Sequence, residues 1–290
     1  MDYTCCTLCP RGCGVDRTNG ERGFCGASDK MQVAKIMCHQ WEEPVICTGA
    51  GAGAVFFGGC TLKCIYCQND AISRSPTGKE MTAVQLRRAM EELVVKGCSC
   101  IDLVTPTQYL PSILPALTPK LPVPVVYNCG GYESVQTLRQ LEGLVDIYLP
   151  DLKYADNALG AAYSQAPDYW ETAKAAILEM FRQTGPVQLE NGRMKKGVIV
   201  RHLVLPGQVG NSLDVLDWIS ETFRPGEILL SVMSQYTPTA AVPNVDCLQR
   251  PVTEEEYDGV LSYLELLGLE DGFVQELSSA QQAYIPQWDV

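Results

Sequence analysis

The stretch Gly58-Gly59-Cys60-Thr61-Leu62-Lys63-Cys64-Ile65-Tyr66-Cys67-Gln68-Asn69 constrains this chain more than any other. Three cysteines spaced C-x3-C-x2-C follow directly on an apolar run, Ala54 to Phe57. Four thiolates would close a tetrahedral zinc site or saturate a four-iron cluster. Three on one short loop can leave one iron without a protein ligand, open to a small molecule. Tyr66, immediately before the last cysteine, could shield such a cluster from water. The plainer alternatives are a structural zinc knuckle or buried free cysteines. The strand before the loop and the strand–helix alternation after it weigh against both.

Residues 1–28 carry Cys5, Cys6, Cys9, Cys13 and Cys25 with five glycines between them, Gly12 to Gly26. Such a segment has little apolar material and needs a metal to be ordered. Cys6, Cys9, Cys13 and Cys25 give C-x2-C-x3-C-x11-C, a ligand count that fits either Zn2+ or a second four-iron cluster. The expected division is a Cys-rich metal-binding extension over 1–48 and a catalytic domain over 49–290.

The chain has 290 residues, 14 of them cysteine, and a formal charge of −12. That acidity argues against nucleic acid and anionic membranes as partners. After Arg250 there is no Lys or Arg while nine Asp or Glu follow, a solvated face or a patch for a basic partner. No basic and apolar leader precedes Cys5, and no apolar run is long enough to span a bilayer. Clustered cysteines in that setting bind metal or do redox chemistry, which predicts a reduced cytoplasm in an oxygen-avoiding cell.

Strands are expected at Ala54–Phe57, Ile101–Thr105, Val123–Tyr127, Leu144–Leu149, Val198–Leu205 and Ile228–Met233. Between them run helical patterns. Thr82-x-x-Gln85 and Thr253-x-x-Glu256 are capping boxes, Asp168-x-x-Glu171 is a third helix start, and Gly97 and Gly185 suit helix ends. Residues 186–196 read as an exposed loop, and His39 as a packed, hydrogen-bonded histidine. Six strands alternating with helices predict an α/β fold, a partial (β/α)6 barrel of parallel strands. In such barrels the site lies at the C-terminal strand ends. Here those ends carry Thr105 and Thr107, Asn128 and Cys129, Asp151 and Lys153, Arg201 and His202, and Ser234 to Tyr236. An Asp and a Lys two residues apart can serve one ligand, accepting from hydroxyls and meeting an anion.

The cysteine loop resembles that of the radical S-adenosylmethionine (SAM) superfamily. Together with Leu103-Val-Thr-Pro-Thr107, Tyr148-Leu-Pro-Asp-Leu-Lys-Tyr154 and Val200-Arg-His-Leu-Val-Leu-Pro-Gly207, it resembles the activating enzymes of pyruvate formate-lyase. It is more similar still to their uncharacterised homologues, which also share Cys6-Thr-Leu-Cys-Pro-Arg-Gly-Cys13. The resemblance implies a [4Fe–4S] cluster on Cys60, Cys64 and Cys67 and SAM chelated to its open iron. It implies SAM contacts from Asp151, Lys153 and His202, with Asn128 and Cys129 near the methionyl end. The activating enzymes hold the SAM amino group with a Gly-Gly-Glu block after the second strand. Thr105-Pro106-Thr107 stands there instead, making Thr105 and Thr107 the candidates for that contact. The implied activity is reductive SAM cleavage to a 5′-deoxyadenosyl radical, fed by a reductant such as ferredoxin or flavodoxin. The substrate would be a glycyl-radical protein, another peptide or a small molecule. A non-catalytic iron–sulfur electron carrier is the reading from another class.

Overall fold

The computed structural model describes residues 2–238, 242, 245–279 and 288. Its strands are β1 (Gln32–His39), β2 (Ala52–Phe57), β3 (Lys79–Glu80), β4 (Ile101–Val104), β5 (Val125–Cys129), β6 (Ile147–Pro150), β7 (Gln188–Glu190), β8 (Arg193–Leu203), β9 (Leu229–Met233) and β10 (Gly272–Val274). One sheet runs β3-β1-β2-β4-β5-β6-β8-β9-β10, with β7 folded back on the start of β8. From β2 to β10 every neighbouring pair is parallel. The six expected parallel strands are therefore all present, in the expected order. Four elements go beyond the expectation: β1, antiparallel to β2; the short β3, antiparallel to β1; the β7–β8 hairpin within 186–196; and β10 at the far edge.

The helices are α1 (Asp70–Ser73), α2 (Ala83–Val95), α3 (Leu110–Ile113), α4 (Val135–Leu138), α5 (Asn157–Ser164), α6 (Tyr169–Thr184), α7 (Val209–Thr222) and α8 (Glu254–Leu266). Thr82 and Thr253 both close reciprocal capping boxes, each such cap adding about 1 kcal/mol. Asp168 stands at the N-cap of α6, but its carboxylate does not cap the helix; it accepts from the Tyr132 hydroxyl at 2.7 Å.

Strands buried on both faces read as continuous apolar runs, and period-2 alternation divides their side chains between two layers. Val55, Phe57, Leu103, Tyr127, Val200 and Val232 belong to the main core, where the inner faces of α2 (Leu86, Met90, Leu93) and α6 (Ala173, Ala176, Ile177, Met180) also lie. The alternate positions, Ala54, Phe56, Asp102, Val104, Asn128 and Arg201, form the inner layer of the curled sheet. This parity decides which residue of each strand end reaches the site. Cys25, Ala27, Met31 and Val33 share the main core with the barrel, and β1 pairs with β2 from Val33↔Phe57 to His39↔Ala52. The division expected at residue 48 thus falls inside one sheet and one core.

Candidate active site

β2 delivers the chain to Gly58 and Gly59, where two close approaches leave no room for a side chain. A Cβ on Gly58 would lie 2.4 Å from the Thr77 carbonyl oxygen, and one on Gly59 2.8 Å from that of Cys25. Gly59 (φ +80°) and Lys63 (φ +53°) both take the left-handed conformation, which turns the loop back on itself. The Gln108 side-chain amide holds the turn from the neighbouring strand end, 3.1 Å from the Gly58 carbonyl and 2.9 Å from that of Gly59.

Each of the three loop sulfurs accepts a hydrogen bond. Cys60 takes the Leu62 N–H (3.4 Å), Cys64 the Ser164 hydroxyl (2.9 Å) and Cys67 the Ser73 hydroxyl (3.5 Å). Behind Cys64 a file of hydroxyls continues from Ser164 to Tyr154 (2.8 Å) and on to Tyr66 (2.7 Å). Burial pushes the Cys60 thiol up and that of Cys67 up to about 12, so a metal bound here would displace protons. Among the described residues, no three His, Cys, Asp or Glu are gathered tightly enough for a single metal ion. In a four-iron cluster each cysteine holds a different iron, so a loop triplet need not converge on one point. Soft sulfur donors, buried and hydrogen-bonded with no fourth protein ligand on the loop, fit such a cluster.

Cys64, Tyr66 and Cys67 line one wall of a cleft of about 230 Å3. Asn128, Asp151, Lys153 and Arg201 line its floor, with Phe56, Leu203 and Met233 as apolar walls. The polar floor is one network. Asp151 accepts from Lys153 Nζ at 2.6 Å and Arg201 Nε at 2.8 Å. Arg201 also donates to Asn128 Oδ1 at 2.7 Å, and Asn128 donates to Asp102 at 3.2 Å. Burial pushes the Asp151 carboxyl up, yet Arg201 and Lys153 together outweigh it and hold Asp151 below the usual carboxylate range. For Lys153, Asp151 outweighs burial and keeps the ammonium charged.

The cleft thus gathers Cys64, Cys67, Asn128, Asp151 and Lys153 from the expected residues, with Cys60 on the same loop. Four others lie elsewhere. His202 is fully buried on the outer face of β8, with Nδ1 2.7 Å from the Leu152 carbonyl and Nε2 2.9 Å from the Ser212 hydroxyl of α7. Its expected place in the cleft belongs to Arg201, one residue earlier and on the opposite face. Thr107 turns away from the cleft and donates to Glu133 at 2.8 Å, with the Tyr127 hydroxyl also on Glu133 at 3.2 Å. Cys129 is a further neighbour of that carboxylate. Glu133 is itself buried, and desolvation pushes it up to about 7. Thr105 acts through its backbone, in a left-handed turn (φ +56°) whose N–H meets the Asn128 carbonyl at 2.8 Å. His39 does line the cleft, edge-on to Phe56 with centroids 6.1 Å apart. Arg201, Glu42 and Glu43 also line the cleft, beyond the residues expected to hold SAM. The Arg-His pair carried a signal, but the parity that chooses between its members needs the strand register.

The N-terminal cysteines sit on the other side of the same loop. Cys25 lies within electrostatic reach of Cys6, Cys9 and Cys13, and Cys9 within that of Cys6. Arg17, 1% exposed, points a guanidinium nitrogen at Cys6 Sγ (3.7 Å). Burial pushes the Cys25 thiol up, with Arg17 pulling the other way. A buried cation beside sulfur favours the thiolate, the form that binds metal.

No family model matches the chain. An uncharacterised protein of Methanocaldococcus jannaschii is 28% identical over 275 residues, covering 91% of this chain and 75% of that protein. Among solved structures, a spore photoproduct lyase variant superposes with a TM-score of 0.56 at 10% identity, over 84% of this chain and 79% of the lyase. Streptococcus suis SuiB, bound to its precursor peptide SuiA, superposes with a TM-score of 0.54 at 15% identity, over 76% of this chain. The aligned part spans about half of SuiB, 48% of its chain. The chain therefore has the partial α/β-barrel fold of the radical SAM enzymes.

Proposed function

We propose that this protein is a radical SAM enzyme, with a [4Fe–4S] cluster held by Cys60, Cys64 and Cys67 and SAM bound in the cleft beside it. One observation carries the reading: a three-cysteine loop opens onto a cleft floored by a charge-paired Asp151, Lys153 and Arg201. Held by Cys60, Cys64 and Cys67, a cluster with one open iron would supply the electron for reductive cleavage of SAM bound beside it.

The chain's own residues do the rest. Asp151, kept ionised, accepts from hydroxyls such as those of a ribose. Lys153 spends one N–H on Asp151 and directs its others at a carboxylate. Arg201 fixes both Asp151 and Asn128, so the floor is set before a ligand arrives. Phe56, Leu203 and Met233 keep water from the reacting centre, and the Ser164 hydroxyl fixes Cys64. A pocket of this kind favours catalysis over electron carriage, since a carrier needs no SAM-shaped floor. We extend the proposal to a peptide or protein substrate of the activating-enzyme type, reduction by ferredoxin or flavodoxin, and a second cluster on Cys6, Cys9, Cys13 and Cys25. SuiB, which shares this fold over 48% of its own chain, is bound to a precursor peptide in its solved structure, and that supports the peptide reading.

The test is anaerobic reconstitution, reduction with dithionite and assay of 5′-deoxyadenosine. The protein should form it, and the Cys60→Ala/Cys64→Ala/Cys67→Ala variant should not. Asp151→Ala and Lys153→Ala should keep the cluster but weaken SAM, each lost buried partner costing about 1–3 kcal/mol, or up to roughly a hundredfold. Cleavage by the triple variant would sink the proposal.

A further inference from the structure

The loop after β1 carries Trp41, Glu42 and Glu43 into the wall between two cavities. On one side is the cleft; on the other is a cavity of about 440 Å3 bounded by Gln235, Phe273 and Gln275. The Glu42 carboxylate lies 3.5 Å from Arg201, with its side chain 8% exposed. Glu43 is also 8% exposed, and its Oε2 has no hydrogen-bond partner. Deeper on the inner layer, Asp102 is fully buried and its Oδ1 is likewise unpartnered.

The charges do not balance within this wall. Among the described residues, the cations that act on Glu42, Glu43, Asp102 and Asp151 are Arg201 and Lys153, and Lys153 is already committed to Asp151. Burial pushes Glu42 up and Asp102 up to about 7. An unpartnered buried carboxylate oxygen is costly and needs a reason. No three acidic residues here are gathered tightly enough for a metal ion, whereas an organic cation can reach them singly along the wall. Trp41 lines the outer cavity beside Glu43.

We infer that this wall is a substrate subsite for an ammonium or guanidinium group, entering from the outer cavity past Trp41 to Glu43. The inference rests on the function proposed above and names the substrate class: a molecule or peptide bearing a basic side chain. SAM also carries an ammonium, but Glu43 reaches a cavity beyond the Asp151–Lys153 floor assigned to SAM.

Calorimetry on the full chain, with and without SAM, can test this using N-acetyl-lysine amide and its neutral isostere N-acetyl-norleucine amide. The lysine probe should bind at least about tenfold more tightly than the norleucine probe. Glu43→Gln should remove that preference and leave SAM affinity unchanged. Because it replaces a buried carboxyl whose Oε2 has no hydrogen-bond partner, Glu43→Gln should also raise the Tm of the ligand-free protein, where loss of a structural contact would lower it. If Glu43→Gln does not fold, Glu43→Asp carries the comparison: the shorter carboxylate should reduce the lysine preference and leave SAM affinity unchanged. Equal or absent binding of the two probes, unchanged lysine binding in both variants, or displacement of lysine by SAM would each overturn the inference. Failure to cleave SAM with the lysine preference intact would count against the proposed function and leave the subsite standing.

Discussion

At His202 the neutral ring satisfies every partner it has: Nδ1–H donates to the Leu152 carbonyl and Nε2 accepts from the Ser212 hydroxyl. Full burial makes the charged ring costly and pushes its pKa down from about 6.5 to about 4. A folded pKa below the unfolded one means the unfolded chain binds the extra proton first. The stability from His202 is therefore present above about pH 6.5 and lost as pH falls toward 4. Glu133 and Asp102, both pushed up to about 7, work in the opposite sense: their contribution is full in acid and lost as pH rises through 7. Wild type alone would blur the two. The stability gap between wild type and His202→Gln in urea isolates the first. It should shrink by about 2 kcal/mol between pH 7 and pH 5. A gap independent of pH would mean the ring is not held neutral by burial. The residue types at this strand end were legible, since Arg201-His202 stood out as a pair. Which one faces the cleft was not, because a one-residue step on a strand exchanges the two faces.

Arg11 shows what one side chain can do between elements. Its Nε donates to the Thr61 carbonyl of the cysteine loop at 2.9 Å. Its other nitrogens meet the carbonyls of Ser164 (2.8 Å) and Gln165, at the C-terminal end of α5. Those carbonyls lack helical partners and carry the negative end of the helix dipole, so a planar cation suits them. The guanidinium also covers the Phe24 ring at 3.9 Å. Arg11→Ala should lower the free energy of opening residues 1–28 by about 1–3 kcal/mol. Chymotrypsin cleavage after Phe24 should then speed up roughly tenfold, with the barrel's far-UV circular dichroism unchanged. Unaltered cleavage would show that the segment is held by other contacts. Arg11 was visible in the sequence as part of a cysteine motif, but its partners come from three separate stretches that no spacing connects. The same applies to β1, whose side chains are mostly half-buried; an outer strand covered by β3 only at Gln32 and Val33 leaves a weak alternation. The buried strands β2, β4, β5, β6, β8 and β9 read clearly because their apolar runs are bounded by glycine or proline.

On the scale of the whole molecule, the cysteine loop is a partition. The cleft lies on one side, and the Cys25 carbonyl presses on Gly59 from the other, with Cys6, Cys9 and Cys13 beyond it. A redox centre on these cysteines would stand close to the loop, where a relay to the cleft is needed. Zinc could order residues 1–28 equally well but could not carry an electron. The proposed second cluster makes a sharp numerical prediction. Anaerobic protein reconstituted with iron and sulfide should hold about eight irons per chain, against about four in the Cys9→Ala/Cys13→Ala variant. That variant should still cleave SAM when dithionite reduces the loop cluster directly, because its cleft is intact. With ferredoxin or flavodoxin as donor it should turn over far more slowly, and the two reductants together separate a relay from a merely structural metal. Equal losses with both would assign the four cysteines to ordering the loop. One zinc and about four irons in the wild type would leave the relay without a carrier.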